Sequence, residues 1–377
     1  MNLLWIAPIE FGSTIHQSGE IGTAQALERS GWDVDFLSIK PSKDGENFIK
    51  GLNFKNYSVR KSRIPGLGGI SFNFSVARKI KKILKEKKYD VILTEWHSAI
   101  GVHFGLRALG RHEHTPKVVF EDRSPPADPS LIGRLQWLHY DLSWRFFSRR
   151  SDLIEVLVPG LEKFVRGRHK DLPKMVHCPS GVDLTRFVPG DKETGPARIV
   201  YHGSLDSGRG LERLEKFSIE LAHLDFNHKI VIIGKGPLGK EFSNLSREND
   251  NFEYLGEVSY DELPRLISNC HFGILPLPNL LPWKVGSPLK LMECASAGIP
   301  VLATDVEGCM PYSGQPWLSL GDNKNPFPNW INFLKSVPIK EKKYRTVSNQ
   351  AREFAEENFS WDSAVRDLDE GMRRILR

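Results

Sequence analysis

Short apolar runs alternate with longer stretches of helical spacing, and the alternation occurs twice. In the first series, "NLLWIAP", "WDVDFLSI", "YDVILTE", "KVVFED", "DLIEVLV" and "KMVHCPS" have the length and residue types of buried strands. A polar stretch, "PGDKETGPAR" (Pro189 to Arg198), interrupts the rhythm. It then restarts with "IVYHGS", "KIVIIG", "FEYLGEV", "FGILPLP" and "PVLATD". Helix-like segments lie between most of these runs. Continuous apolar strands separated by helices predict parallel sheets covered on both faces. Two such series joined by a polar linker predict an α/β chain of two doubly wound, Rossmann-like domains facing each other across a cleft. In sheets of this kind ligands bind beyond the strand carboxyl ends, so residues just after strands are the candidates for chemistry.

Composition narrows this only a little. At 377 residues the chain has room for two ordinary domains, and 40% hydrophobic with 26% charged residues suits a globular protein. A formal net charge of +6 leans towards nucleotides, phosphates, a membrane surface or nucleic acid, against a plain basic surface. Cys178, Cys270, Cys294 and Cys309 form no C-x-x-C pair and lie in or beside apolar runs, as small buried hydrophobes do. That usage suits a reducing cytosol. The N-terminal apolar run is too short to span a membrane and lacks the basic start of a signal peptide. It reads as a first strand ending at Pro8.

Four motifs can be weighed on their residues. "IGKGPLG" places Gly234, Gly236 and Gly239 in the spacing of a dinucleotide fingerprint, with Glu257 further on. It follows the second strand of its series rather than the first, and Pro237 explains the turn without a cofactor. The pairs Asp33/Asp35 and Asp367/Asp369 could hold a metal but sit at no strand's carboxyl end, so solvated charge is the expectation. In "YHGSLDSGRGL" a strand ends at Gly203 and Arg209 precedes a helix, where a guanidinium can fork onto phosphate. In "GSPLKLMECASAGIPVLATD", Pro288 starts a helix and Gly298 ends it, with Lys290 and Glu293 on its first turns. The plain reading of that pair is a surface i,i+3 contact. The functional one is a lysine on a diphosphate and a carboxylate on a ribose.

Taken together these segments resemble the family 4 glycosyltransferases of the GT-B fold, retaining enzymes of the glycosyl transferases group 1. "SPLKLMECASAGIPVLATD" is similar to that family's donor-site segment, and "CPSGVDLTRF" to its joint between domains. "IVYHGSLDSGRGLERL" resembles its phosphate loop, "HQSGEIGTAQALERSGWDVDFLS" its first glycine loop and helix, and "ENFSWDSAVRDLDEGMRRIL" its terminal helix. The chain departs in having Val285 where a first glutamate is common and Ser204 where an arginine is common. The resemblance implies an acceptor-side domain over 1–180, a nucleotide-sugar donor domain over 181–355, and 356–377 as a helix returning to the first domain. It also implies transfer of a sugar from a nucleotide diphosphate sugar to a glycan or lipid-linked acceptor, with retention, no cofactor and no metal. Arg209 and Lys290 would be catalytic. Gly19, Gly203, Ser204, Ser287, Leu289 and Glu293 would join them in binding the nucleotide sugar. His97 and Asp122, after probable strand ends, are candidates for the acceptor side. Two other readings stay open: a non-catalytic nucleotide-sugar-binding subunit, and an NAD-dependent oxidoreductase using the glycine motif.

Two helical patterns bear on location. "LIGRLQWLHYDLSWRFF" carries Leu131, Leu135, Leu138, Leu142 and Phe146 on one side and Trp137, Tyr140, Trp144 and Phe147 on nearly the other. "VARKIKKILKEKK" has one apolar face and one rich in Arg78, Lys79, Lys81, Lys82 and Lys85. The expectation is a cytoplasmic protein resting on the anionic inner face of a membrane, with aromatic side chains at the headgroups. No nucleic-acid partner is expected.

Overall fold

The structure is a computed structural model of the whole chain, and it describes all residues except 13–17, 53, 63, 65–66, 111–114, 127–130 and 260. The chain divides into two units, Met1–Pro179 with Ala364–Arg377, and Ser180–Ser363. Residues 356–363 belong with the second unit. Glu356 pairs with Arg352 at 2.7 Å, Ser360 bridges to Val182, and the Trp361 ring lies against Gly181.

The first unit holds seven parallel strands. These are β1 (Asn2–Glu10), β2 (Asp33–Ile39), β3 (Lys55–Val59), β4 (Val91–Glu95), β5 (Lys117–Asp122), β6 (Leu153–Val156) and β7 (Met175–His177), in the order β3-β2-β1-β4-β5-β6-β7. Central strands β1 and β4 are buried along most of their length, as their unbroken apolar runs require. β1 runs past Pro8 to Glu10, with its register to β2 shifted between Ile6 and Glu10. Proline, which has no N–H to donate, is tolerated at such an irregularity. The helix Arg366–Leu376 lies on β5, β6 and β7, and Gly371 lets it close on Leu153 and Val176.

The second unit holds β8 (Ala197–His202), β9 (His228–Ile233), β10 (Phe252–Gly256), β11 (Phe272–Leu275), β12 (Val301–Thr304) and β13 (Leu318–Gly321), ordered β10-β9-β8-β11-β12-β13 and again parallel. Its core runs from Ile199 and Tyr201 through Phe217 to Trp317 and Trp330. β3 and β13 are edge strands that the apolar-run pattern does not reveal. "KNYSV" and "LSLG" are short and polar at alternate or central positions, and an edge strand needs no continuous apolar run.

All four cysteines are free and buried. The aspartate pairs are not simply solvated. Asp35 is buried and, with Asp33, receives Lys87 Nζ at 2.9 and 2.8 Å, while Tyr89 donates to Asp35 as well. Asp369 accepts from Trp32 Nε1 at 2.6 Å and from Arg373. Asp367 is exposed. Among the described residues, no group of three or more His, Cys, Asp or Glu is placed to hold a metal ion, and no helix is long and apolar enough to cross a membrane.

Candidate functional site

In the second unit the strand order reverses at β8, with β9 on one side and β11 on the other, and the candidate residues gather at the carboxyl ends there. β8 ends at His202, and Gly203 follows with φ 118°. This glycine is required. Its φ lies in the region that L side chains rarely adopt, and the missing Cβ leaves the room that the end of the Lys290 side chain occupies across the strand end. The Gly203 N–H donates to the Ile233 carbonyl at 2.8 Å and the Leu205 N–H to the Lys235 carbonyl at 2.9 Å, tying the loop to the end of β9. Gly234 and Gly236 serve that same junction. A Cβ on Gly234 would strike the Gly203 carbonyl, and one on Gly236 would lie 2.7 Å from the Leu205 backbone. The fingerprint spacing therefore reflects two loops packed backbone to backbone, and the nicotinamide reading loses its motif.

Lys290 and Glu293 stand on the helix Leu289–Ser296, which follows Pro288. Lys290 is half-buried. Burial pulls its ammonium down to about 8, with repulsion from Arg209 adding to this and Glu293 opposing it. Glu293 is buried, and burial pushes its carboxyl up to about 7 against the attraction of Lys290. Its Oε2 lies 3.6 Å from His202 Nε2. That contact is not an ion pair: burial, with Lys290 nearby, holds His202 down near 3 and neutral. Val285, where the resemblance expects a carboxylate, is buried and apolar.

Arg209 closes a short turn, Ser207–Arg209, before Gly210 at φ 71°. Its guanidinium lies 4.7 Å from the centre of the Trp283 ring, and Trp283 Nε1 donates to the Gly208 carbonyl at 2.9 Å. Asp206 stands 3.6 Å from Arg209 Nε, and Ser204 donates to the Asp206 carboxylate. Ser287 Oγ accepts from the Ser180 N–H at 3.3 Å, and the Ser287 carbonyl accepts from the Leu289 N–H at 2.9 Å. His202, Asp206 and Trp283 were not singled out from the sequence. His202 had a signal, its place at the last position of a strand; Trp283 had none.

The other candidates lie in the first unit. Gly19 sits in the first turn of the helix Ser18–Arg29, and a Cβ on it would be 3.7 Å from Arg123 Nη2. His97 follows β4 with its ring stacked on Trp96, its Nδ1 3.1 Å from Glu95 Oε2 and its side chain 42% exposed. Desolvation by its neighbours, with repulsion from Lys61, lowers its pKa from the ordinary value. Asp122 does not fit an acceptor role. It is 0% exposed and accepts from Tyr140 at 2.6 Å, from Trp144 Nε1 at 2.8 Å and from the Ser124 N–H at 3.1 Å. A carboxylate so surrounded is a structural hub.

A row the sequence reading missed crosses these strand ends. Glu95, Glu121 and Glu155 are in register on β4, β5 and β6, hence on one sheet face, and all are buried. Burial pushes Glu95 and Glu121 up to about 8 and Glu155 well above the usual carboxylate range; repulsion from Glu20 adds to the shift of Glu95, and repulsion within the row to those of Glu121 and Glu155. Arg123 Nη1 meets Glu121 Oε1 at 3.1 Å, Trp5 Nε1 donates to Glu121 Oε2 at 2.9 Å, and both oxygens of Glu155 lack a hydrogen-bond partner. Each strand supplies one glutamate near its carboxyl end, a coincidence visible only when the three runs are aligned.

Two family models match this sequence: residues 22–186 match one described as Glycosyltransferase Family 4, and residues 196–319 one described as Glycosyl transferases group 1. The chain belongs to this glycosyltransferase family. It is 28% identical over 156 residues to an uncharacterized glycosyltransferase of Methanocaldococcus jannaschii. That match spans 40% of this chain and 40% of the relative, so well under two thirds of the relative's length is covered. Among solved structures it is similar to sucrose-phosphate synthase from Thermosynechococcus elongatus, with TM-score 0.75, 16% identity, and 99% and 98% of the two chains covered. It is similar also to HepE of Anabaena, solved in complex with UDP, with TM-score 0.73, 14% identity, and 99% and 100% covered. At such identities the likeness bears on fold: this family member has the GT-B fold, with two parallel sheets flanked by helices.

Proposed function

We propose that this protein transfers a sugar from a nucleotide diphosphate sugar to an acceptor hydroxyl, with retention at the anomeric carbon and without a metal. One observation carries the reading: Lys290 lies against Gly203 at the end of β8 with Arg209 in the same electrostatic neighbourhood, so two cations share a strand-end site. As the glycosidic bond breaks, negative charge grows on the departing diphosphate. Preorganised cations meet that charge where water is scarce and its competition weak. An anion bound there also favours the protonated lysine. In this reading Glu293, one turn on, accepts from the ribose hydroxyls. Uridine diphosphate sugars are the first donors to try, since HepE was solved with UDP.

The acceptor we place among lipid-linked or cell-surface glycans met at an anionic membrane from the cytoplasm, with His97 as a lining residue. The test is nucleotide release from a panel of UDP- and GDP-sugars. Turnover should persist in EDTA. Complete loss in EDTA with rescue by manganese or magnesium would overturn the metal-free part. Tight nucleotide-sugar binding with no turnover of any donor would leave a binding subunit instead.

A further inference from the structure

The steps from β3 to β4, β4 to β5 and β5 to β6 run in one direction across the first sheet. Right-handed crossovers therefore set the helices Gly68–Glu86, Ala99–Leu109 and Leu131–Phe147 on one sheet face. Each packs on the next. Their outward sides carry seven of the fifteen exposed large apolar side chains among the described residues.

On the third helix, Leu135, Leu138, Leu142 and Phe146 are 60%, 58%, 38% and 46% exposed. Their spacing makes one stripe along the helix. The opposite side is already in the core: Tyr140 and Trp144 are fully buried and hydrogen-bonded to Asp122. This reverses the expectation that aromatic side chains would face outward. They have polar tips that find a buried partner, while the leucines are left in water. Ile70 and Phe74 on the first helix and Phe104 on the second extend the exposed apolar set.

Cations border this surface. Arg150 lies over the Phe146 ring at 5.9 Å and Arg78 over the Phe74 ring at 5.6 Å. The row that begins with Ile70 and Phe74 continues along the same helix to the exposed Lys81, Lys82 and Lys85.

We propose that this face docks on an anionic lipid membrane. The leucine and phenylalanine side chains enter the headgroup boundary, and the lysines and arginines meet lipid phosphates. Charge complementarity selects this occupant. A second copy seated on the same surface by two-fold symmetry would set these cations against one another. The proposal rests on the glycosyl-transfer reading only for its purpose, since vesicle binding needs neither donor nor acceptor.

The test is co-flotation of the full chain with vesicles of phosphatidylcholine, and with vesicles half phosphatidylglycerol. Binding is expected only to the anionic vesicles and weakens in high salt. Leu138→Ser with Leu142→Ser, and separately Lys81→Glu, Lys82→Glu and Lys85→Glu together, should each lower the partition coefficient at least about tenfold. Thermal midpoint and donor hydrolysis in solution should stay unchanged for both variants. No flotation at low salt overturns the proposal. So does wild-type flotation by the leucine variant, which would leave charge alone. A wild-type dimer in solution that the leucine variant dissolves would make the face an interface between copies. Flotation without turnover of any donor would count against glycosyl transfer and leave the membrane surface standing.

Discussion

The two sheets share one order over six strands and place opposite charge at the corresponding ends. Beyond β8 and β11 of the second unit stand Arg209 and Lys290, with Glu293 the buried carboxylate beside them. At the ends of β4, β5 and β6 of the first stand Glu95, Glu121 and Glu155, with Arg123 for a partner. Each cluster meets the cost of burial differently. Lys290 shifts towards neutrality without reaching it, which leaves a cation for an arriving anion. The glutamates hold protons instead, so the row carries less charge than its composition suggests. Topology supplies the location, and the side chains decide whether it offers charge to a ligand.

The largest expected effect tests the cationic end. Lys290→Ala should lower turnover roughly 100- to 1000-fold. It should fold normally, since a helix start tolerates alanine. A stable variant with wild-type kcat would remove Lys290 from the chemistry. Arg209→Ala should behave alike, and Arg209→Lys more mildly if charge outweighs the fork. With Lys290 drawn to about 8, kcat/KM of the free enzyme should fall as pH rises above that value. Lys290→Arg should move the falling limb to higher pH.

The acidic end gives a pH dependence of stability. Glu95 sits near 8 in the fold against an ordinary 4.5, so its protonated form is the one the fold prefers. Its contribution is full below about 4.5 and is lost as pH rises towards about 8. Glu95→Gln should therefore match wild type at pH 3.5 and exceed it by about 2–4 kcal/mol at pH 8.5. Urea denaturation at both pH values checks this, and an equal gap at both would refute it.

Smaller effects separate the backbone under the cations from the cations themselves. Gly234→Ala, with its Cβ directed at the Gly203 carbonyl, should destabilise the second unit by about 1–3 kcal/mol. Gly208→Ala meets nothing within 4 Å and should change stability by less than about 0.5 kcal/mol. If the two variants unfold alike, the close approach of the loops is not what the glycine serves.

Alternation of apolar runs was enough to read eleven of the strands and the parallel class, because central parallel strands are buried on both faces and cannot hide a polar alternation. β3 and β13 escaped because "KNYSV" and "LSLG" hold too few apolar residues to stand out, which an edge strand permits without demanding it, since the edge strands β7 and β10 were read. The Gly203–Lys290 pairing was half legible. Each residue was named from its place after a strand, but that one lies across the other depends on the distance between two loops nearly ninety positions apart.

The sequence by itself determined local matters: which runs are strands, where helices start and stop, and which residues follow strand ends, since backbone periodicity and turn chemistry act over a few positions. Tertiary structure decided what no local pattern encodes. It put Glu95, Glu121 and Glu155 in register, assigned Gly234 to a neighbouring backbone instead of a cofactor, and enclosed Asp122 among Tyr140 and Trp144. It also chose which apolar stripe of the Leu131–Phe147 helix faces inward. Both stripes have helical spacing, so the choice fell to the one whose hydroxyl and indole N–H find the Asp122 carboxylate inside.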